Sequence, residues 1–192
     1  MEKDTNYYNQ YANYLENISI KGKIYRKFFY FPKLYRCLQG KKLEVGCGTG
    51  GFLEIYNDVI GIDINPECIK ICKQKNLNVT HMEIDKINFN DNEFDSILID
   101  NVLEHIEKPE NLISEMKRVL TPSGVVVVSV PGAKGFLWDK DHKKNYKKNE
   151  LEKIFCKQGF TTQKIFYTPF RSKILDTHMR QYCLHGIFKK NN

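Results

Sequence analysis

The sequence predicts an α/β domain built on a mostly parallel sheet with helices on both faces. From Lys42 onward, short apolar runs bounded by Gly, Asn and Pro alternate with segments of helical spacing. That is the pattern of strands returning to one sheet through helical crossovers. Val125-Val126-Val127-Val128-Ser129-Val130 is apolar on both pleat faces and β-branched, as a strand covered by helices on both sides must be. A chain of 192 residues can bury one substantial core, and no long polar stretch divides it in two.

The first forty residues read as a helical, aromatic cap or lid (1–40) ahead of a single globular unit (41–192). Tyr7, Tyr8, Tyr11 and Tyr14 precede the aromatic run Ile24 to Tyr30; the four tyrosines either cover a ligand or pack on the sheet, and Pro32 is expected to interrupt the helix. Strands are expected at 42–46, 58–63, 78–82, 94–99 and 124–130. Between them Phe52, Leu53 and Tyr56, then Ile69 and Cys72, then Leu112, Met116, Val119 and Leu120 recur at helical spacing. Pro66 and Pro109 fall near helix starts, where a missing N–H costs least. After 130 come a loop, a helix near 147–158 and two closing strands near 160–167 and 179–188, which makes seven.

The net charge of +7 comes from lysines scattered along the chain, with short clusters only at 143–148 and 189–190. Charge alone identifies no partner, and nucleic acid is not expected. The polar, acidic start and the lack of any run near the roughly 20 apolar residues of a spanning helix point to a cytoplasmic protein without a leader or membrane span. Six cysteines with no C-x-x-C pair fit reduced thiols.

The chemistry concentrates in Leu43-Glu44-Val45-Gly46-Cys47-Gly48-Thr49-Gly50-Gly51, a strand entering a glycine-rich turn. Gly46, Gly48 and Gly51 also fit the G-x-G-x-x-G spacing of dinucleotide enzymes, so the glycines leave a nicotinamide cofactor and an adenosyl sulfonium both open. Glu44 favours the second. A carboxylate beside the turn repels a pyrophosphate, whereas the ammonium and sulfonium of S-adenosylmethionine are cationic. Asp63 closes the second strand, where its two oxygens can accept both ribose hydroxyls; the competing role is a helix cap near Pro66.

Glu44-Val45-Gly46-Cys47-Gly48-Thr49-Gly50 resembles motif I of the class I S-adenosylmethionine-dependent methyltransferases. The stretch His81 to Phe89 resembles the family's third-strand segment, which implies Glu83 and Ile84 at the adenine, with Asp85 two residues away. Phe94 to Ile106, with its Leu103-Glu104-His105 ending, is similar to the fourth-strand segment and implies Asp100 and Asn101 near the methionine part. Thr121-Pro122-Ser123-Gly124 resembles the turn before the fifth strand. The resemblance runs from about 41 to 131 and implies a Rossmann-like sheet of seven strands, the last antiparallel. It implies S-adenosylmethionine as cofactor, held by Glu44, Gly46, Cys47, Gly48, Gly50, Asp63, Ile64, Glu83, Ile84, Asp100 and Asn101. His105 falls where the family usually holds a structural residue.

Methyl transfer needs alignment and exclusion of water, and a base only when the acceptor carries a proton. His142, in Trp138-Asp139-Lys140-Asp141-His142, is the candidate general base, with Asp139 or Asp141 to orient it. The same three residues could bind a divalent ion, but three ligand types in four positions carry little, and no metal is expected. Phe136 and Trp138 could wall an acceptor pocket, and the lysines at 143–148 could attract an anionic acceptor. No Asn-Pro-Pro-Tyr or Asp-Pro-Pro-Tyr follows the fourth strand and no Pro-Cys motif appears, which disfavours base methylation of DNA or RNA. Length and motifs look most like the subgroup acting on small molecules. O-methylation of a small polar metabolite such as a sugar or glycan precursor is therefore expected. A quinone-precursor methyltransferase, an NAD-dependent oxidoreductase and a non-catalytic cofactor-binding partner protein are the alternatives.

Overall fold

The computed structural model describes residues 5–191; the polar start Met1–Asp4 lies outside the described residues. The chain opens with α1 (Thr5–Glu16), α2 (Ile20–Tyr25), a π-helical turn (Arg26–Tyr30) and α3 (Phe31–Tyr35). Pro32 does not break this segment, because the π turn just before it absorbs the hydrogen bond that proline cannot donate. The remainder is β1 (Lys42–Val45), β2 (Val59–Asp63), α4 (Pro66–Gln74), β3 (Val79–His81), β4 (Phe94–Asp100), α5 (Glu110–Val119), β5 (Leu120–Pro131), α6 (Ala133–Trp138), α7 (Lys148–Lys157), β6 (Phe160–Thr168), α8 (Lys173–His178) and β7 (Cys183–Lys190).

One seven-stranded sheet has the order β3-β2-β1-β4-β5-β7-β6. Pairing is parallel from β3 to β5, and β7 runs antiparallel to both β5 and β6. Strand order reverses between β1 and β4, which opens a crevice at their carboxyl ends, where ligands of such sheets bind. Alternating residues of the central strands feed two cores. Ile97, Ile99, Val126 and Val128 meet α5 and α7 on one face, and Leu98 and Val127 meet α3 and α4 on the other.

Three boundaries differ from expectation. Phe52, Leu53 and Tyr56 make no helix but a single turn closed by Glu54 N to Gly50 O at 2.9 Å and Tyr56 N to Phe52 O at 3.1 Å. Strand β5 starts at Leu120, since Leu120 pairs with Phe94 before a register shift carries the expected turn as an irregularity within the strand. The last strand starts at Cys183 rather than 179, because α8 occupies the chain up to His178.

Candidate functional site: the carboxyl edge around the glycine turn

Gly46, Gly48 and Gly50 adopt φ of +74°, +53° and +84°, a region that costs other residues energy. A Cβ on Gly46 would lie 2.4 Å from Val102 Cγ2, one on Gly48 2.9 Å from Leu15 Cδ1 and one on Gly50 2.3 Å from Leu77 Cδ1, whereas one on Gly51 would meet nothing within 4 Å. The third glycine of a dinucleotide fingerprint exists to let a helix pack closely on the strand. Here no helix follows and Gly51 has open space, so that part of the fingerprint goes unused.

Acidic groups gather at the turn. Glu44 is 4% exposed, and its Oε2 has no hydrogen-bond partner among the described residues. Asp63 accepts Gly48 N–H at 2.8 Å on one oxygen and Asn65 N–H at 2.7 Å on the other. Asn65, not Asp63, caps α4. Each Asp63 oxygen keeps a lone pair. Asp100 accepts from Tyr30 Oη at 2.5 Å and from Asn101 Nδ2 at 2.9 Å; Asn101 sits at φ +54°, a conformation that asparagine tolerates better than most residues. Burial raises the pKa of Glu44, which the Asp100 and Asp63 charges push further up. Burial also raises Asp63 and Asp100, partly offset by their hydrogen bonds and, for Asp100, by the Arg26 charge. Mutually repelling acids with an unpaired oxygen beside a glycine cradle form a site suited to a cation. The ammonium and sulfonium of the cofactor implied by the motif fit that donor set.

Cys47 is buried at the turn and Ile64 half-buried just past β2. Glu83 and Ile84 lie just beyond β3 on a solvent-facing turn, where Glu83 pairs with Lys86 at 3.5 Å and Ile84 is 58% exposed. Met82 N–H donates to Asp63 O at 3.0 Å, which keeps that turn beside the end of β2.

Helix α1 crosses this edge instead of packing on the sheet. Asn65 Nδ2 donates to Tyr8 O at 3.1 Å, Lys75 joins Glu16 at 3.0 Å and Glu54 at 2.7 Å, and Tyr7 Oη donates to Asp141. Burial raises the Tyr11 phenol pKa, with Asp63, Asp139 and Glu104 adding to the shift. Its ring meets the His105 ring edge to face at 6.1 Å, which joins the helix to a second group of side chains.

That second group is Glu104, His105 and His142. The backbone C=O of Glu104 accepts Lys143 N–H at 2.6 Å and Lys144 N–H at 3.1 Å, which pins the loop after α6 against the end of β4. His142 is not the solvated loop residue its lysine neighbours suggest: its side chain is 8% exposed, with Nε2 3.8 Å from Glu104 Oε1. Nor do Asp139 and Asp141 orient it. Its Nδ1 lies 2.9 Å from Phe136 O and its ring stacks on Phe136, while Asp139 accepts Asp141 N–H at 2.9 Å. Neither the orienting carbonyl nor Glu104 could be found from spacing, since both come from other segments.

A cavity of about 180 Å³ lies at the ends of β5 and β6, lined by Pro131, Asn145, Tyr146, Tyr167, Arg171 and Tyr182 among others. Asn145 Oδ1 and Tyr146 Oη there are buried without hydrogen bonds among the described residues. A larger groove of about 870 Å³ runs between residues 85–90 and Arg118. Arg118 lines it and donates to Ile87 O and Phe89 O at 2.7 and 2.9 Å, and the groove touches none of the residues of the glycine turn.

A family model described as a methyltransferase domain matches residues 43–128, from β1 into β5. The uncharacterised protein MJ1123 of Methanocaldococcus jannaschii is 37% identical over 144 residues, which cover 69% of this chain and 70% of that protein. The mouse protein named probable tRNA methyltransferase 9B is 31% identical over 112 residues, covering 52% of this chain but only 25% of that protein. A Haloferax volcanii structure, a complex of the Trm112 methyltransferase activator with a methyltransferase, matches with TM-score 0.77 over 100% of both chains at 14% identity, which shows a shared fold. Among the described residues no helix is long and apolar enough to cross a membrane.

Proposed function

Because this chain belongs to the class I S-adenosylmethionine-dependent methyltransferases, we propose that it methylates an oxygen of a small polar metabolite, such as a sugar or glycan precursor. The observation that carries the acceptor class is the cavity of about 180 Å³ at the ends of β5 and β6. It is smaller than the roughly 300–1,000 Å³ of drug-sized sites. It offers a tyrosine hydroxyl and an amide oxygen that are unpaired among the described residues, and Lys147, Lys148, Arg171 and Lys173 at its rim suit an anionic or phosphate-bearing acceptor.

S-adenosylmethionine supplies a methyl carbon already activated by its sulfonium. In our reading Glu44 and Asp100 balance the positive charge of the methionine part. Gly46, Cys47, Gly48 and Gly50 let the backbone approach it, and Asn101 closes the end of β4. Asp63 keeps the glycine turn in place with one lone pair of each oxygen and offers the others to the ribose; Ile64, Glu83 and Ile84 border the adenine. Helix α1 serves as the lid that excludes water, and His142 stands where a hydroxyl proton has to leave.

Calorimetry with S-adenosylhomocysteine is the test of the cofactor site. Asp63→Ala removes two prospective hydrogen bonds worth about 0.5–1.5 kcal/mol each, so affinity is expected to fall about tenfold to a hundredfold, with no binding of NAD by either protein. Unchanged affinity in the variant would remove Asp63 from the site. For the acceptor, Tyr146→Phe is expected to lower kcat/KM about tenfold, the worth of one hydrogen bond, while leaving S-adenosylhomocysteine affinity unaltered.

Similarity to a protein named for tRNA methylation and the charge of +7 favour a second reading, an RNA acceptor. Labelled methyl groups offered to small-molecule extract and to tRNA in parallel separate the two. Incorporation into tRNA alone would replace the small-molecule reading.

A further inference from the structure

We infer that Glu104, His105 and His142 form a binding site for a divalent transition metal at the carboxyl edge of the sheet. One ligand atom from each of the three lies within 4.8 Å of the other two. The rings of His105 and His142 meet edge to face at 4.6 Å.

Glu104 gives the strongest pointer. It is 0% exposed, yet neither carboxylate oxygen makes a hydrogen bond among the described residues. A buried carboxylate without donors is costly, and native structures keep such groups paired or on metals. His142 is presented as metal-binding histidines usually are. Nδ1 stands 2.9 Å from a backbone carbonyl, Phe136 O, an arrangement that fixes the tautomer and leaves Nε2 free as a ligand. Nε2 faces Glu104 Oε1 at 3.8 Å.

Two imidazoles and one carboxylate suit zinc, cobalt, manganese or ferrous iron, and three protein ligands leave a position for an exchangeable oxygen. Bonds of about 2.0–2.1 Å place tetrahedral ligand atoms about 3.4 Å apart, so the side chains need draw in by an ångström or so. The backbone need not move, because Lys143 and Lys144 already tie the His142 loop to Glu104. A metal held here would be able to polarise an acceptor hydroxyl and take over the deprotonation assigned above to His142. That use rests on the oxygen-transfer reading; the site itself does not.

The test is a titration of the metal-free full chain with cobalt chloride alone, read by visible absorption, followed by displacement with zinc chloride. About one equivalent of cobalt with intense ligand-field bands is expected. Glu104→Gln and His142→Asn are each expected to weaken binding about a hundredfold and bleach the bands. Circular dichroism and Tm of the metal-free variants report whether each is folded, and His142→Asn alone decides the matter should Glu104→Gln not fold. Folded wild-type protein that shows no bands at saturating cobalt would overturn the proposal. So would bands that persist unchanged in a folded variant, which would place the metal on other groups. Because no substrate is present, methylation of tRNA instead of a small molecule would sink the acceptor reading without touching this result.

Discussion

Gly46→Ala is expected to destabilise the fold by about 2–5 kcal/mol and to abolish cofactor binding. About 1–2 kcal/mol comes from forcing an L-residue to φ +74°. A further 1–3 kcal/mol, roughly, comes from driving a methyl carbon to 2.4 Å from Val102 Cγ2. Val102 stands two residues past the end of β4, next to Asp100 and Asn101, so a shift that makes room for the methyl is felt there. Gly51→Ala is the control: with nothing within 4 Å of its Cβ, it is expected to change stability by less than about 1 kcal/mol in either direction and to keep cofactor affinity. Urea denaturation and calorimetry on both variants check the pair. Equal damage from the two substitutions would mean that the dinucleotide-type spacing, not the geometry around Gly46, governs the turn.

His185 makes the wild-type protein acid-sensitive through a separate mechanism. Its imidazole is fully buried, lies 2.8 Å from both Ser129 Oγ and Thr168 Oγ1, and stacks on Phe166 at 4.6 Å. Burial holds its pKa down to about 3, against 6.5 for the free side chain. Between those values the unfolded chain takes up a proton that the folded one refuses. The stabilisation is complete above pH 6.5 and falls by about 1.4 kcal/mol per unit as pH drops through the window. Glu44 and Asp63 act in the opposite sense, since carboxyls raised by burial lose native stability as pH rises. The informative quantity is therefore the stability gap between wild type and His185→Gln. It is expected to favour wild type at pH 7.5 and to move against it by about 2–3 kcal/mol by pH 4.5. A gap that stays constant with pH would show that His185 takes up its proton as readily in the fold as in the unfolded chain.

The sheet was legible because strands buried on both faces leave continuous apolar runs, and the glycine turn because its positive φ values demand glycine. Phe52, Leu53 and Tyr56 misled because their helical spacing reflects packing against α3 and Tyr35 around one short turn. Leu120 looked like a helix end because its strand begins with an irregularity that breaks the alternation. At the site, Glu44 was readable from charge beside the glycines. Glu104 was visible only as part of a familiar Leu-Glu-His segment, since the loop that packs on it lies 38 positions and more away. Tyr30, which donates to Asp100 across 70 residues, had no local signal at all.

The position of β7 between β5 and β6 bears on how the molecule is made. Residues 183–190 form an interior strand, pairing with Val125–Pro131 on one side and Phe160–Thr168 on the other. Until they leave the ribosome, the valine strand has an open edge and β6 has no neighbour. The nascent chain must therefore carry its most apolar strand half-paired from Pro131 until Cys183–Lys190 is made, the condition under which edge-to-edge aggregation competes with folding. Completion of the sheet waits for residues 183–190, so the β5 edge and β6 are joined only by a strand made after both.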